Sequence, residues 1–91
     1  MPTLRKIFGS KKQTMLLEFL LQNPGKVFNQ AGLSRFLRCS PSTVARVIKP
    51  LVEEGILAYE QISGQMKILA LNTESEKVKV LMDFYEKFRK L

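Results

Sequence analysis

The middle of the chain has two helix-start signals so close together that only a very short turn can join the two helices. This feature limits the choice of folds most. Asn29 can cap a helix that ends near Leu37, and Ser40-Pro41 is typical of an N-cap followed by the first helical residue, where proline loses no hydrogen bond. Only the turn Arg38-Cys39 separates the two helices. Helices joined by so tight a turn must cross at a steep angle and share one core.

The apolar spacing predicts which faces of this helix pair are buried. The later helix extends to about Glu54, and Gly55 is the expected helix-ending residue. Pro50 lies inside it and should bend or irregularise its second half, because proline removes one backbone hydrogen bond. The predicted inward residues are Leu33, Phe36 and Leu37 in one helix and Val44, Val47 or Ile48, and Leu51 in the other.

A further helix is predicted before this pair, from Lys11 to about Gln22. Ser10 and Gln13 have the spacing of a capping box, and Asn23-Pro24-Gly25 ends the helical pattern. Its inward face is expected to contain Leu16, Phe19 and Leu20. We expect residues 1–9 to form a flexible basic arm and residues 26–28 to form a short strand.

The periodicity changes after Gly55. Residues 56–62 and 66–71 are β-prone runs separated by Ser63-Gly64-Gln65, a pattern that predicts a hairpin. Thr73 and Glu76 then have the spacing of a second capping box, which predicts a last helix over residues 74–90.

The resulting order is helix, strand, helix, tight turn, helix, hairpin and helix. Residues 11–71 resemble the winged helix-turn-helix family, including regulators of the MarR and ArsR kind, and the segment that carries the resemblance is GLSRFLRCSPSTVARVIKPLVEEGIL, residues 32–57. The resemblance implies an α+β, mostly α fold: a three-helix core plus a β-hairpin wing, with an added C-terminal helix. Together with the patterns at the two ends of the chain, this predicts a flexible basic arm at 1–9, a DNA-binding domain at 10–72 and a dimerisation helix at 73–91.

The positive charge is concentrated in the first half of the chain. The formal net charge is +7, yet residues 1–50 hold nine basic residues and one acidic residue, a balance of 9 − 1 = +8. Residues 51–91 hold six basic and seven acidic residues, a balance of −1. Such asymmetry attracts polyanions, with nucleic acid first and anionic membrane second. The alternative is a basic surface that only solvent covers.

The second helix of a helix-turn-helix pair enters the major groove, where outward residues near its N-terminus meet base edges first. Arg46 can pair bidentately with guanine, and Ser42 and Thr43 can bond bases or phosphates. Lys49 suits a phosphate, and the helix N-terminus at Ser40 itself attracts one.

Residues beside the groove are candidates for phosphate contacts: Lys11, Lys12, Gln30 and Arg35. The hairpin tip around Gly64 and Gln65, with Lys67 after it, resembles a wing. Two interpretations of this wing stay open, a light contact with phosphate or no more than a cover for the core.

The last predicted helix has apolar residues on nearly two faces. One set can cover the domain: Val78, Leu81, Tyr85 and Phe88. The other set would be exposed in a monomer and indicates a homodimer interface: Val80, Met82, Phe84 and Leu91.

Other classes of site lack the residues they need. The chain has no histidine and its only aspartate is Asp83, so we expect no metal site, no cofactor and no enzymatic activity. Cys39 is the single cysteine and can form no internal disulfide; a lone cysteine is more often inert than redox-sensing. No signal peptide or membrane span is expected, and a cytoplasmic, nucleoid-associated location is predicted.

The predicted function is therefore sequence-specific binding of double-stranded DNA by a small dimeric transcriptional regulator. The alternative is a winged-helix module that binds protein within a transcription or replication assembly. Such a module would not need an excess of positive charge on its recognition helix. Tyr59, Phe84 and Tyr85 could stack on bases, although their spacing favours core or interface positions.

Overall fold

The structure is a computed structural model that describes residues 8–63 and 66–91. Within these ranges the helices are α1 (Lys11–Gln22), α2 (Gln30–Leu37), α3 (Pro41–Glu53) and α4 (Glu76–Arg89). The strands are β1 (Val27–Asn29), β2 (Leu57–Ser63) and β3 (Met66–Leu71). The mostly helical winged helix-turn-helix fold with an added C-terminal helix is confirmed. The first seven residues of the predicted N-terminal arm lie outside the described residues.

The predicted caps form at the starts of α1 and α2. The Ser10 hydroxyl accepts a hydrogen bond from the backbone N–H of Gln13 at 3.1 Å, and the Asn29 side chain accepts one from Gly32 at 2.6 Å. A capping side chain satisfies one of the donors that the first helical turn leaves unpaired. These local bonds explain why both helices begin where the sequence predicts.

The inward faces of α1 and α2 differ from the prediction at their aromatic residues. Leu17 of α1 is fully buried, whereas Phe19, two residues later, is half-buried. Phe36 of α2 is 39% exposed and stacks on Phe19 with ring centroids 4.2 Å apart. Phe28 of β1 also packs against Phe19, with ring centroids 5.1 Å apart. The three rings therefore form a partly exposed cluster at the edge of the core rather than its centre.

The turn between α2 and α3 uses a left-handed residue. Arg38 has φ 55° and ψ 52°, a conformation that ends a helix abruptly but is uncommon for a residue other than glycine. The Lys12 ammonium donates to the carbonyl oxygen of Leu37 at 2.8 Å, so α1 supplies a cation to the last turn of α2.

The helix α3 buries one apolar stripe and remains continuous through Pro50. Val44, Val47, Ile48 and Leu51 are all buried, so both alternatives for the middle of the stripe are correct. Gly55, with φ 75°, ends the element as predicted.

The three strands form one antiparallel sheet in the order β1-β3-β2. In the hairpin, Leu57 pairs with Leu71, Tyr59 with Leu69, and Gln61 with Lys67. Directly paired residues project from the same face of a sheet, so these three pairs share the face that packs on the helices. The hairpin itself confirms the prediction made from residues 56–71.

The start of α4 corrects the predicted capping box at Thr73. The helix begins at Glu76 with Ser75 as its N-cap, and the Ser75 side chain makes no capping hydrogen bond. The Asn72 side chain instead accepts a hydrogen bond from the backbone N–H of Glu74 at 3.2 Å and donates to Gly55 at 3.1 Å. Because Asn72 holds this segment in a turn, the helix cannot begin at Glu74.

The inward face of α4 also differs from the prediction. Val78 is fully buried, and Leu81 and Met82 pack against the core, so Met82 is not one of the freely exposed residues. Tyr85 lies beside Gln22, the last residue of α1, at an O···N distance of 2.8 Å. Phe88, expected to cover the domain, is 63% exposed because it lies one helical turn beyond the level at which α1 ends.

Candidate nucleic-acid interface

The helix α3 has a buried face and an exposed polar face. Pro41 follows Ser40, whose hydroxyl accepts a hydrogen bond from the backbone N–H of Thr43 at 3.3 Å. The apolar stripe anchors the helix on the core, and Ser42, Arg46 and Lys49 are exposed on the other side. The helix can therefore enter a groove as a rod without losing its own packing.

A chain of hydroxyl groups connects the N-cap of α3 to its arginine. The Ser40 hydroxyl lies 3.0 Å from that of Ser42 and 3.1 Å from that of Thr43. The Arg46 guanidinium donates to the Thr43 hydroxyl at 3.3 Å. The structure thus brings together four residues that the sequence selected, and Thr43 limits the rotamers that Arg46 can adopt.

One flank of α3 forms a groove with the N-terminus of α1, which we call the α1 groove. It contains Lys11 and Lys12 from α1 and faces Thr43 and Arg46 of α3. The Lys12 ammonium already donates to Leu37, which fixes it at this corner and leaves two N–H donors for another acceptor. The groove therefore joins two predicted phosphate contacts to the predicted base-reading residue.

The opposite flank of α3 forms a second groove with the hairpin, which we call the hairpin groove. Its polar residues are Gln30, Lys49, Glu53, Tyr59 and Lys67, and its apolar lining is Ala45, Ile48 and Val52. The Gln30 amide donates to the carbonyl oxygen of Pro41 at 3.4 Å, which places it beside the start of α3. Three candidates that are distant in sequence, Gln30, Lys49 and Lys67, are thus brought to one groove.

The remaining candidates have different positions. Arg35 is exposed on α2 and lines neither groove. Gly64 and Gln65, predicted at the wing tip, lie outside the described residues. Tyr59 is a groove residue that sequence reasoning assigned to a core or an interface. The strand register could have indicated it, because alternation from the buried Leu57 puts Tyr59 on the helix-facing side of β2.

The basic residues divide into a paired group and an unpaired group. Each basic residue from Lys77 onward lies within 4 Å of a carboxylate, in five ion pairs: Lys77–Glu54, Lys79–Glu76, Lys87–Asp83, Arg89–Glu86 and Lys90–Glu86. Hydrogen bonds from Arg89 and Lys90 lower the pKa of the Glu86 carboxyl. Over the described part of the chain up to Lys67, no basic side chain forms an ion pair with a carboxylate. The basic residues without a carboxylate partner therefore include those on α3 and in the two grooves beside it.

The described residues contain no group of three histidine, cysteine or acidic side chains that could hold a metal ion. None of the helices described there is long and apolar enough to cross a membrane.

No protein-family model matches the chain, and no curated protein matches it. Solved structures do match. A possible transcriptional regulator from Methanosarcina mazei is 20% identical, over 89% of this chain and 71% of that chain, with a TM-score of 0.66. HlyU from Vibrio cholerae is 20% identical, over 97% of this chain and 89% of that chain, with a TM-score of 0.72.

A third match is MepR, a transcription regulator of the Staphylococcus aureus multidrug efflux pump MepA. It is 16% identical, over 97% of this chain and 66% of that chain, with a TM-score of 0.66. The structural neighbours are transcriptional regulators of the winged-helix, MarR/ArsR-like type, which are not enzymes. At these identities the likeness shows that this chain shares their fold.

Proposed function

We propose that this protein binds double-stranded DNA sequence-specifically, with α3 in the major groove, and acts as a small dimeric transcriptional regulator. The observation that carries the proposal is the division of the basic residues. Around α3 they have no carboxylate partner among the described residues, whereas those of α4 are all paired. A field of one sign around a projecting helix raises the local concentration of a polyanion.

The two grooves suit the two sugar–phosphate strands that border a major groove. That groove is about 12 Å wide, so a helix inserted in it has one backbone on each side. Lys11 and Lys12 of the α1 groove would meet one strand, and Lys67 and Gln30 of the hairpin groove the other. Arg46, on α3 itself, is the residue that reaches a base edge. This arrangement separates the contacts that position the protein from the contact that specifies sequence.

The dimer is supported by the exposed apolar residues of α4 and by Leu91, the second residue after that helix. Val80 is 67% exposed, Phe84 57%, Phe88 63% and Leu91 99%, and the rings of Phe84 and Phe88 stack with centroids 5.5 Å apart. A two-fold pair of α4 helices would cover this apolar face in both copies. It would also present two α3 helices to half-sites that are separated by multiples of about 10 bp.

A salt titration of duplex binding tests the proposal, with fluorescence anisotropy as the measurement. Each phosphate that a cation neutralises contributes a slope of about −0.9 to log K against log salt. If Lys11, Lys12, Lys49 and Lys67 each neutralise a phosphate, we expect tight binding at low salt and a slope steeper than about −3.

The paired and unpaired lysines provide a matched control. Lys11→Ala should reduce the magnitude of the slope by about one, because an unpaired cation is lost. Lys79→Ala removes a lysine that lies 3.6 Å from Glu76 and should leave the slope unchanged. Absence of duplex binding at low salt would contradict the proposal and favour a protein-binding winged helix.

A further inference from the structure

The face of the hairpin that packs on the helices continues beyond the core. Along this face, Leu57 and Leu71 form a buried pair, and the next pair combines Leu69, which is fully buried, with Tyr59, which is 41% exposed. The following pair is Gln61 and Lys67, and Gln61 is exposed. Tyr59 therefore lies at the boundary where the hairpin leaves the core and passes alongside α3.

The two tyrosines of the chain differ in how their hydroxyl groups are used. The Tyr85 hydroxyl accepts from the Gln22 amide at 2.8 Å and donates to the Glu18 carboxylate at 3.2 Å. The Tyr59 hydroxyl forms no hydrogen bond with any residue that the structure describes. A tyrosine whose function is to fill a core normally finds an internal partner for its hydroxyl. The polar end of Tyr59 is thus available to a ligand of the hairpin groove.

The surroundings of Tyr59 define the chemistry of that ligand. Lys49 of α3 and Lys67 of β3 line the same groove, together with one carboxylate, Glu53. Among the described residues, neither ammonium is paired with a carboxylate. Two ammonium groups and a phenol O–H can each donate to an oxyanion, while the apolar lining of Ala45 and Val52 suits a sugar ring.

We propose that Tyr59 contacts the DNA backbone, with its O–H donated to a phosphate oxygen held between Lys49 and Lys67 and its ring against the adjacent deoxyribose. The inference rests on the proposed DNA binding and adds a specific contact to it. A phosphate is the expected target because Tyr59 belongs to the element beside α3, and the walls of a major groove are its phosphates. Tyr59 would consequently strengthen binding to every duplex without selecting a sequence.

Tyrosine-selective NMR tests this contact in the unsubstituted protein. The chain has two tyrosines and no tryptophan, so labelling the tyrosine rings with ¹³C gives two sets of ring signals, which Tyr59→Phe assigns. On titration with a duplex, the Tyr59 signals should shift and saturate with the binding curve. The Tyr85 signals, from a hydroxyl bound to Glu18 and Gln22, should remain unchanged.

Affinity measurements on matched variants complete the test. Tyr59→Phe removes only the hydroxyl and should weaken specific and random duplexes alike by roughly ten-fold, as expected for one hydrogen bond to a charged group. Tyr85→Phe removes the other tyrosine hydroxyl of the chain and should leave duplex affinity within about two-fold, which is near the limit of such measurements.

The outcomes separate this inference from the proposed function. If duplexes bind while the Tyr59 signals stay unchanged and Tyr59→Phe retains full affinity, the contact is wrong and DNA binding stands. A loss confined to one DNA sequence would also overturn the inference, because it would indicate base reading. If no duplex binds the wild type at low salt, the contact and the proposed function both fall.

Discussion

Arg46 and Lys49 lie one helical turn apart on α3 but belong to different surroundings. Arg46 lines the α1 groove and is held by the Thr43 hydroxyl, whereas Lys49 lines the hairpin groove. We predict that Arg46→Ala weakens binding to the preferred duplex by roughly 1–3 kcal/mol and relaxes sequence preference, because it removes a bidentate base contact. Lys49→Ala should weaken all duplexes about equally and lower the salt slope by about one. Competition binding with specific and random duplexes measures both effects.

The comparison depends on an intact fold in both variants. Both side chains are exposed, so circular dichroism spectra should match that of the wild type. An equal loss of affinity for specific and random DNA in Arg46→Ala would show that Arg46 contacts the backbone and that base reading belongs to another residue.

At the scale of the elements, the serines at the starts of α3 and α4 differ in whether they make a capping hydrogen bond. The Ser40 hydroxyl caps α3 through the Thr43 N–H, whereas the Ser75 side chain makes no cap bond at the start of α4. We predict that Ser40→Ala lowers the free energy of unfolding by about 1 kcal/mol, the usual contribution of such a cap. Ser75→Ala should lower it by no more than a few tenths of a kcal/mol. Urea denaturation followed by circular dichroism measures both changes.

Ser10→Ala provides an internal check on this interpretation. Its hydroxyl caps α1 at 3.1 Å, so its effect should resemble that of Ser40→Ala. Equal destabilisation by Ser40→Ala and Ser75→Ala would mean that the capping bond is not what stabilises α3.

At the scale of the whole molecule, α4 and Leu91 present exposed apolar side chains that the core does not cover. We predict a homodimer through α4, and we predict that Phe84→Glu shifts the sedimenting mass from dimer to monomer. Burying a side chain of this size contributes about 1.5–3 kcal/mol, and a two-fold interface buries it in both copies. The same variant should bind a palindromic duplex more weakly, because two recognition helices are no longer linked. Sedimentation equilibrium and anisotropy are the measurements.

Phe84→Leu serves as the control, since it keeps an apolar side chain at the same position and should remain dimeric. Because Phe84 is 57% exposed in the single chain, Phe84→Glu should retain the helical circular dichroism signal. A wild type that sediments as a monomer at tens of micromolar would contradict the dimer. Any DNA binding would then be that of a single copy of the chain.

The amino-acid sequence by itself determined the elements whose boundaries depend on local chemistry. The capping bonds of Ser10, Asn29 and Ser40 each join a side chain to a backbone N–H three residues later, so their spacing is visible in the sequence. The same holds for Gly55, which can end α3 because glycine adopts a φ of 75° without strain. The order of these elements, together with the hairpin, was sufficient to predict the winged helix-turn-helix fold and the exposed face of α3.

Tertiary structure alone decided which side chains share a surface. Met82 rather than Phe88 meets the core because α1 ends at the level of Tyr85, and the bond from Asn72 to Gly55, distant in sequence, delays the start of α4. Tyr59 joins Lys49 in one groove only through the register of the hairpin against α3. Such positions depend on where separate elements meet, which is set by packing across long sequence separations, whereas caps and turns depend on neighbours a few residues away.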